Sequence, residues 1–424
     1  MQPILLKNGR IIDPVNGIDM VGNLLLHLAK CAQINPSSLP EGTREIDLTG
    51  KWVVPGLIDI HVHLREPGEE YKETIESGAQ AAAAGGFTAV ACMPNTKPVL
   101  DSAQMIEAVL SKAQKAACRV YPVGAISSHG QGSTLANMGE MFAAGAVAFT
   151  DDGLPVSDSQ LMRRAMEYAG NYGVPIISHS EEIGLSRHGS MNEGPMSTRM
   201  GIIGIPHAAE EIMVYRDLAL AELTGQHVHL AHISTKESVS LIRRAKANGC
   251  PVSAETAPHY FSLTEKAVGK YDTYAKMNPP LRMDYDVEAI KEGLQDGTLD
   301  VIASDHAPHS DLEKELEFDR AANGIIGLET SLSLALQLVR SNCIDEKKLV
   351  ELMSSNPAKA LGLPGGSLTV GNMADVTVID PLRQYTYQRD EVVSRSKNSP
   401  FLGWNLTGKA VLTIVGGKVT YEDL

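Results

Sequence analysis

Residues 57–68 read Leu-Ile-Asp-Ile-His-Val-His-Leu-Arg-Glu-Pro-Gly. An apolar run ends in His61-Val62-His63, and Arg65 follows two residues later. Side chains at i and i+2 of a strand share a face. His61 and His63 therefore reach one region of space just as the strand runs out, and two imidazoles there are half of a metal site. Arg65 beside them is a fixed cation suited to a carboxylate. The stretch predicts metal chemistry on an acidic substrate.

The run is the first of eight. Strand-like segments recur at LIDIHVH, FTAVACM, RVYPVGA, AVAFTDD, VPIISHS, HVHLAHI, PVSAETA and LDVIASD. Helical patterns separate most of them, as in SDSQLMRRAMEYAGNYG, where apolar residues recur at helical spacing and Gly173 ends the pattern. Eight βα units over residues 55–364 predict an α/β fold, a (β/α)₈ TIM-like barrel. A doubly wound sheet is the runner-up, but its Gly-rich phosphate loop is missing after the first strand. Residues 1–54 and 365–424 instead carry short strand runs broken by Gly, Pro and Asn. Neither end holds enough strands for a stable sheet. Together they predict one small β-sandwich domain built from both termini.

Composition narrows the function. The 424 residues carry a formal charge of −14, which argues against a nucleic-acid or anionic membrane surface. A local Arg still permits an anionic small molecule. The five cysteines are scattered with no CxxC, which fits a reducing cytoplasm and offers no thiolate metal site. The N-terminus lacks a signal-peptide pattern, and no apolar stretch approaches a membrane span. The expectation is a cytoplasmic protein.

Polar residues gather where the predicted strands end: His61 and His63, Asn95, Asp151-Asp152, His179, His232, and Asp305-His306. In a barrel these ends form the active-site face. Singly, each has a plain structural reading: Asp305 as a helix N-cap, Asp151 and Asp152 as turn residues before Gly153. Jointly, histidines and carboxylates at one end of five strands match the N/O ligands of zinc. Metal-bound water loses a proton near pH ~7, which supplies a hydroxide nucleophile. Asp305, alone at its strand end, is the best general acid/base. His309 just past the mouth is assigned to substrate contact. His259 is a weaker candidate for supporting the site. His227 and His229 are read as core or supporting residues, and His27, His129, His188 and His207 as surface or loop residues.

The chain resembles the type I dihydroorotases of the amidohydrolase superfamily. The resemblance rests on PGLIDIHVHLREPG (55–68), AGGFTAVACMPNT (84–96), FTDDG (149–153), MNEGP (191–195), HVHLAHIS (227–234), NPPLR (278–282), ASDHAPH (303–309), GIIGLET (324–330) and MADVTVIDP (373–381). It implies reversible cyclisation of N-carbamoyl-L-aspartate to dihydroorotate in pyrimidine biosynthesis. It implies that His61, His63, Asp152 and Asp305 bind one Zn²⁺. Asp152, His179 and His232 would bind a second, with a hydroxide between the two. Asp305 would be the catalytic acid/base. Arg65, Asn95 and His309 would hold the substrate carboxylate, and Asn278 would support the ring; Asn278 comes from the resemblance alone.

Two departures stand out. Many relatives place a carboxylated lysine between the metals, where this chain has only Asp151 and Asp152, so occupancy is one zinc or two. The stretch HLAKCAQIN replaces a Gly-containing turn in the terminal domain. Two rival functions are weighed. Another cyclic amidohydrolase (allantoinase or hydantoinase) would not need Arg65. An inactive partner of aspartate transcarbamoylase would typically have lost metal ligands. The resemblance decides neither a homodimer nor a complex with aspartate transcarbamoylase. Residues 310–323 are read as an exposed, charged short helix and as a lid over the substrate.

Overall fold

The computed structural model describes residues 2–424. Strands β1 (Ile4–Asp13), β2 (Ile18–His27), β3 (Lys30–Ile34), β4 (Arg44–Asp47) and β5 (Trp52–Pro55) come from the N-terminus. The central strands are β6 (Leu57–Val62), β7 (Phe87–Cys92), β8 (Arg119–Pro122), β9 (Ile176–Ser178), the short pair β10 (Met191–Asn192) and β11 (Gly204–Ile205), β12 (Val228–Leu230), β13 (Val252–Thr256) and β14 (Val301–Ile302). The C-terminus supplies β15 (Val376–Thr386), β16 (Asn405–Val415) and β17 (Lys418–Glu422).

The ends meet as expected, in one hydrogen-bonded sheet ordered β17-β16-β15-β5-β1-β2-β3, with β4 also on β1. The joint is β5 against β15, where Trp52 pairs with Ile379 and Pro55 with Val376. Ile4, Leu6, Leu24, Val53, Val376 and Leu412 build this sheet its own core. The connection from β15 to β16 leaves the sheet. It carries Tyr387, Val392 and Phe401 into the core of the central region, because these apolar side chains find cover there.

The central strands are parallel and their pairing closes on itself. β6-β7-β8 form one sheet and β9-β12-β13-β14 another. The AVAFTDD run joins them without forming a regular strand: Phe149 bridges Gly124 on one side and Ile176 on the other. Val62 bridges His306, and the His63 N–H donates to the His306 carbonyl at 2.8 Å, which completes the circuit. Helices lie between the strands. One runs from Ser159 to Gly170, where the Asp158 carboxylate caps the Gln160 and Leu161 N–H groups and Met162, Ala165, Met166 and Ala169 face the core. All five cysteines are free, and no described helix is long and apolar enough to cross a membrane.

Candidate metal and substrate site

The strand-end residues converge at the C-terminal end of the circuit. His63, Arg65, Asn95, Asp152, His179, His232, Asn278, Asp305 and His309 all line one cavity of about 220 Å³. Its size suits a single-ring substrate better than a large ligand. A groove of about 330 Å³ between helices 208–224 and 236–247 is larger, but it gathers no cluster of histidines and carboxylates.

Two groups of ligand-type atoms meet at Asp152: His61, His63 and Asp152 on one side, and Asp152, His179 and His232 on the other. Asp152 Oδ1 lies 3.3 Å from His61 Nε2 and 3.5 Å from His179 Nδ1, and its Oδ2 lies 3.5 Å from His63 Nε2. Asp305 Oδ1 lies 3.3 Å from His63 Nε2 and 3.7 Å from His61 Nε2. Burial alone would raise the Asp152 carboxyl, but His61, His179 and His232 hold it well below the usual carboxylate range. Asp305 is likewise lowered, against its burial, by His63, His61 and His232. Both are ionised at neutral pH.

The neighbours of these histidines aim their ring nitrogens. His61 Nδ1 donates to Glu255 at 2.6 Å, His63 Nδ1 to the Asn95 carbonyl at 2.9 Å, and His179 Nε2 to Glu181 at 2.9 Å. Each leaves the other nitrogen facing Asp152; against their burial, the surrounding carboxylates raise His61 well above the ordinary histidine range and His179 to about 10, so these nitrogens carry hydrogens that a bound cation would displace. His61 Nε2 is buried and has no hydrogen-bond partner. His179 Nδ1 and His232 Nε2 lie 2.8 Å apart. Imidazole nitrogens and ionised carboxylates gathered in one buried space are what a cation requires, so the donor set fits a divalent metal with N/O preference.

The anion side is built from Arg65 and His309. Arg65 is buried, and its Nε donates to the Pro308 carbonyl at 3.1 Å. Its second terminal nitrogen lies 3.2 Å from His309 Nε2. Burial first, then the charge of Arg65, pull His309 down to about 2, so the ring is neutral. Arg65, His232 and Asp305 all take left-handed backbone, with φ of 58°, 35° and 49°. Strained backbone of this kind gathers where side-chain aim matters.

Several of these residues have further partners inside the protein. Asn95 lines the cavity, but its amide nitrogen also donates to Asp152 Oδ2 at 3.2 Å, so it braces both His63 and Asp152. Asn278 donates to Glu181 at 3.0 Å and so supports His179 at one remove. Asp151 turns away and accepts the N–H groups of Ile126 and Ser127, a bracing role. His229 joins Glu255 at 3.1 Å behind His61, a supporting position as expected. His207 is a partly exposed turn residue, as read, with its Nε2 2.9 Å from buried Asp286.

Residues 310–323 contain a short helix, Asp311–Lys314, and Glu315, Glu317, Asp319 and Arg320 are exposed as read, but one charge of the segment is not solvated. Lys314 is fully buried, and its ammonium donates to the carbonyls of Lys276, Ala322 and Gly324 at 2.8–3.2 Å. Three donors matched to three acceptors fasten the segment down. Glu181 and Glu255 were missed from sequence. Glu181 stands two residues after His179, a signal that was available; Glu255 is 194 residues from His61, and only the fold pairs them.

A family model described as dihydro-orotase-like matches residues 50–238. A curated dihydroorotase from Desulfotalea psychrophila is 58% identical over 418 residues, covering 99% of both chains. The chain belongs to the dihydroorotase family. A second curated dihydroorotase, from Citrifermentans bemidjiense, is 54% identical over 421 residues and covers 99% of both. Among solved structures, the L-hydantoinase (dihydropyrimidinase) of Arthrobacter aurescens superposes with a TM-score of 0.90 at 27% identity, covering 100% of this chain and 97% of its own. A D-hydantoinase from Thermus sp. gives 0.86 at 26% identity, covering 99% of this chain and 95% of its own. The dihydroorotase family and the hydantoinases thus share this architecture, and the full-length sequence relatives carry the dihydroorotase name.

Proposed function

We propose that this chain is a zinc-dependent dihydroorotase that interconverts N-carbamoyl-L-aspartate and dihydroorotate on a (β/α)₈ barrel formed by residues 55–364. The carrying observation is the placement of Arg65 and His309 in the same cavity as the His/Asp cluster. A hydantoin or dihydrouracil ring has no carboxylate for Arg65 to meet, which sets the hydantoinase reading second. The retention of all six ligand-type residues speaks against an inactive partner protein. Free cysteines fit a cytoplasmic setting.

His61, His63, Asp152 and Asp305 would hold one metal, and Asp152, His179 and His232 a second. When bound, the metal makes water a nucleophile at neutral pH and polarises the scissile carbonyl. The residues of the chain do the rest. Arg65 binds the ring carboxylate together with the Nε2–H of neutral His309, a hydrogen that the Asn323 carbonyl would share, and with Asn95 at the edge of the cavity these groups orient the amide toward the cluster. Asp305, ionised at rest, takes the proton released in ring opening and returns it to the departing ring nitrogen. In cyclisation it takes the proton from the carbamoyl nitrogen and delivers it to the departing oxygen. Ring closure consumes a proton overall, so alkaline solution favours opening.

The test is dihydroorotate opening at alkaline pH with elemental analysis of the same preparation. Turnover with one or two zinc per chain is expected, and two would mean that Asp152 bridges without a carboxylated lysine. Turnover of unsubstituted dihydrouracil or hydantoin in preference to dihydroorotate would overturn the assignment.

A further inference from the structure

The anion-binding loops are held together by a residue from the other end of the chain. The connection from β15 to β16 brings Asn398, with no exposed surface, against the Ala307, His309 and Gly324 backbone of the cavity lining. Its side-chain oxygen accepts the His309 N–H at 3.0 Å. Its amide nitrogen donates to the Ala307 carbonyl at 3.0 Å and the Gly324 carbonyl at 3.1 Å. Its own carbonyl accepts the Ile326 N–H at 2.9 Å. One residue therefore satisfies four backbone groups on two loops, 305–309 and 323–326.

Those loops carry the aim of the anion site. Pro308 supplies the carbonyl that fixes Arg65 Nε, and Asn323 supplies the carbonyl 2.8 Å from His309 Nε2. Gly324, at φ 120°, lies so close to Ala307 that an added Cβ would meet the Ala307 methyl at 2.6 Å. The two loops are in contact, and Asn398 is the clasp. Neighbouring residues anchor the connection elsewhere: Ser394 and Val393 bond Glu329, and the Ser396 hydroxyl bonds the Lys72 carbonyl at 2.7 Å.

We propose that Asn398 is a positioning residue for substrate-carboxylate binding, setting the separation and aim of Arg65 and His309 without touching substrate. This rests on the reading of those two residues as the carboxylate site. Loosening the clasp weakens ground-state binding more than it disturbs Asp305 and the metal cluster, because every Asn398 bond is made at residues 307–309 and 324–326 and none to Asp305 or another ligand-type residue.

The test compares Asn398→Ala, Asn398→Asp and Ser396→Ala in the metal-loaded enzyme, with dihydroorotate as substrate. Asn398→Asp keeps the acceptor for His309 and removes both donors. Both Asn398 variants are expected to raise KM about tenfold or more, with kcat within about threefold and zinc content unchanged. Ser396→Ala, which cuts the same connection away from the clasp, should leave KM unchanged. A normal KM in a folded Asn398 variant, or a loss confined to kcat, would overturn the proposal. So would failure of both Asn398 variants to fold, which would mark the residue as structural only. Wild-type enzyme without dihydroorotate turnover would instead overturn the functional reading.

Discussion

His309 Nε2 lies 3.2 Å from a guanidinium nitrogen of Arg65 and 2.8 Å from the carbonyl of Asn323. The carbonyl requires the nitrogen to carry a hydrogen, so the Arg65 donor facing it has nothing to bond there. An Arg65 N–H is thus left facing the cavity without an acceptor, a state that a bound carboxylate relieves. Arg65→Met should therefore lower kcat/KM for dihydroorotate by about 100-fold or more, the cost of losing one side of a desolvated charge pair. Steady-state kinetics at constant zinc loading checks this, and unchanged turnover would sink the substrate assignment.

Glu255 fixes the tautomer of His61 from 2.6 Å and is itself held by His229. Glu255→Gln keeps the shape and removes the charge. Metal affinity should fall about 10- to 100-fold, read by competition with a chelator. Affinity within twofold of wild type would show that His61 is oriented by packing alone.

Glu313 carries a pH signature. Burial would raise its carboxyl, but the Lys72 ammonium at 2.9 Å and the N–H and hydroxyl of Ser310 bring it down to about 2 from an ordinary 4.5. A lowered carboxyl stabilises the fold fully above pH 4.5 and loses that stabilisation as pH falls toward 2. Glu313→Gln should cost about 1 kcal/mol at pH 7, as loss of a helix cap does. The gap to wild type should shrink below pH 4.5. Urea unfolding of both proteins at pH 7 and at acid pH measures it, and a gap constant with pH would contradict the assignment.

The β2–β3 turn lies within the HLAKCAQIN stretch. His27 pairs with Lys30, so Leu28 and Ala29 form a two-residue hairpin turn, with φ of 51° and 62°. Left-handed backbone at both positions favours Asn-Gly. Leu28→Asn combined with Ala29→Gly should stabilise the chain by about 1 kcal/mol, since each present residue pays for a crowded Cβ. A higher denaturant midpoint with unchanged kinetics is the expected result; a lower one would mean that the turn is held by its packing against the C-terminal strands.

What the sequence determined by itself was the chemistry at the strand ends. His61, His63, Asn95, Asp152, His179, His232 and Asp305 were legible because strand parity and position are local properties, and all of them line or adjoin one cavity. The pairing of the two termini was legible for a related reason: neither end has enough strands alone. Tertiary structure decided what holds those residues in aim. Glu255 reaches His61 across 194 positions and Asn398 reaches His309 across 89. Lys314 reads as surface charge until three carbonyls are seen to surround it. Such residues have no periodicity of their own. Each answers a buried hydrogen-bonding need that exists only once distant segments have been brought together.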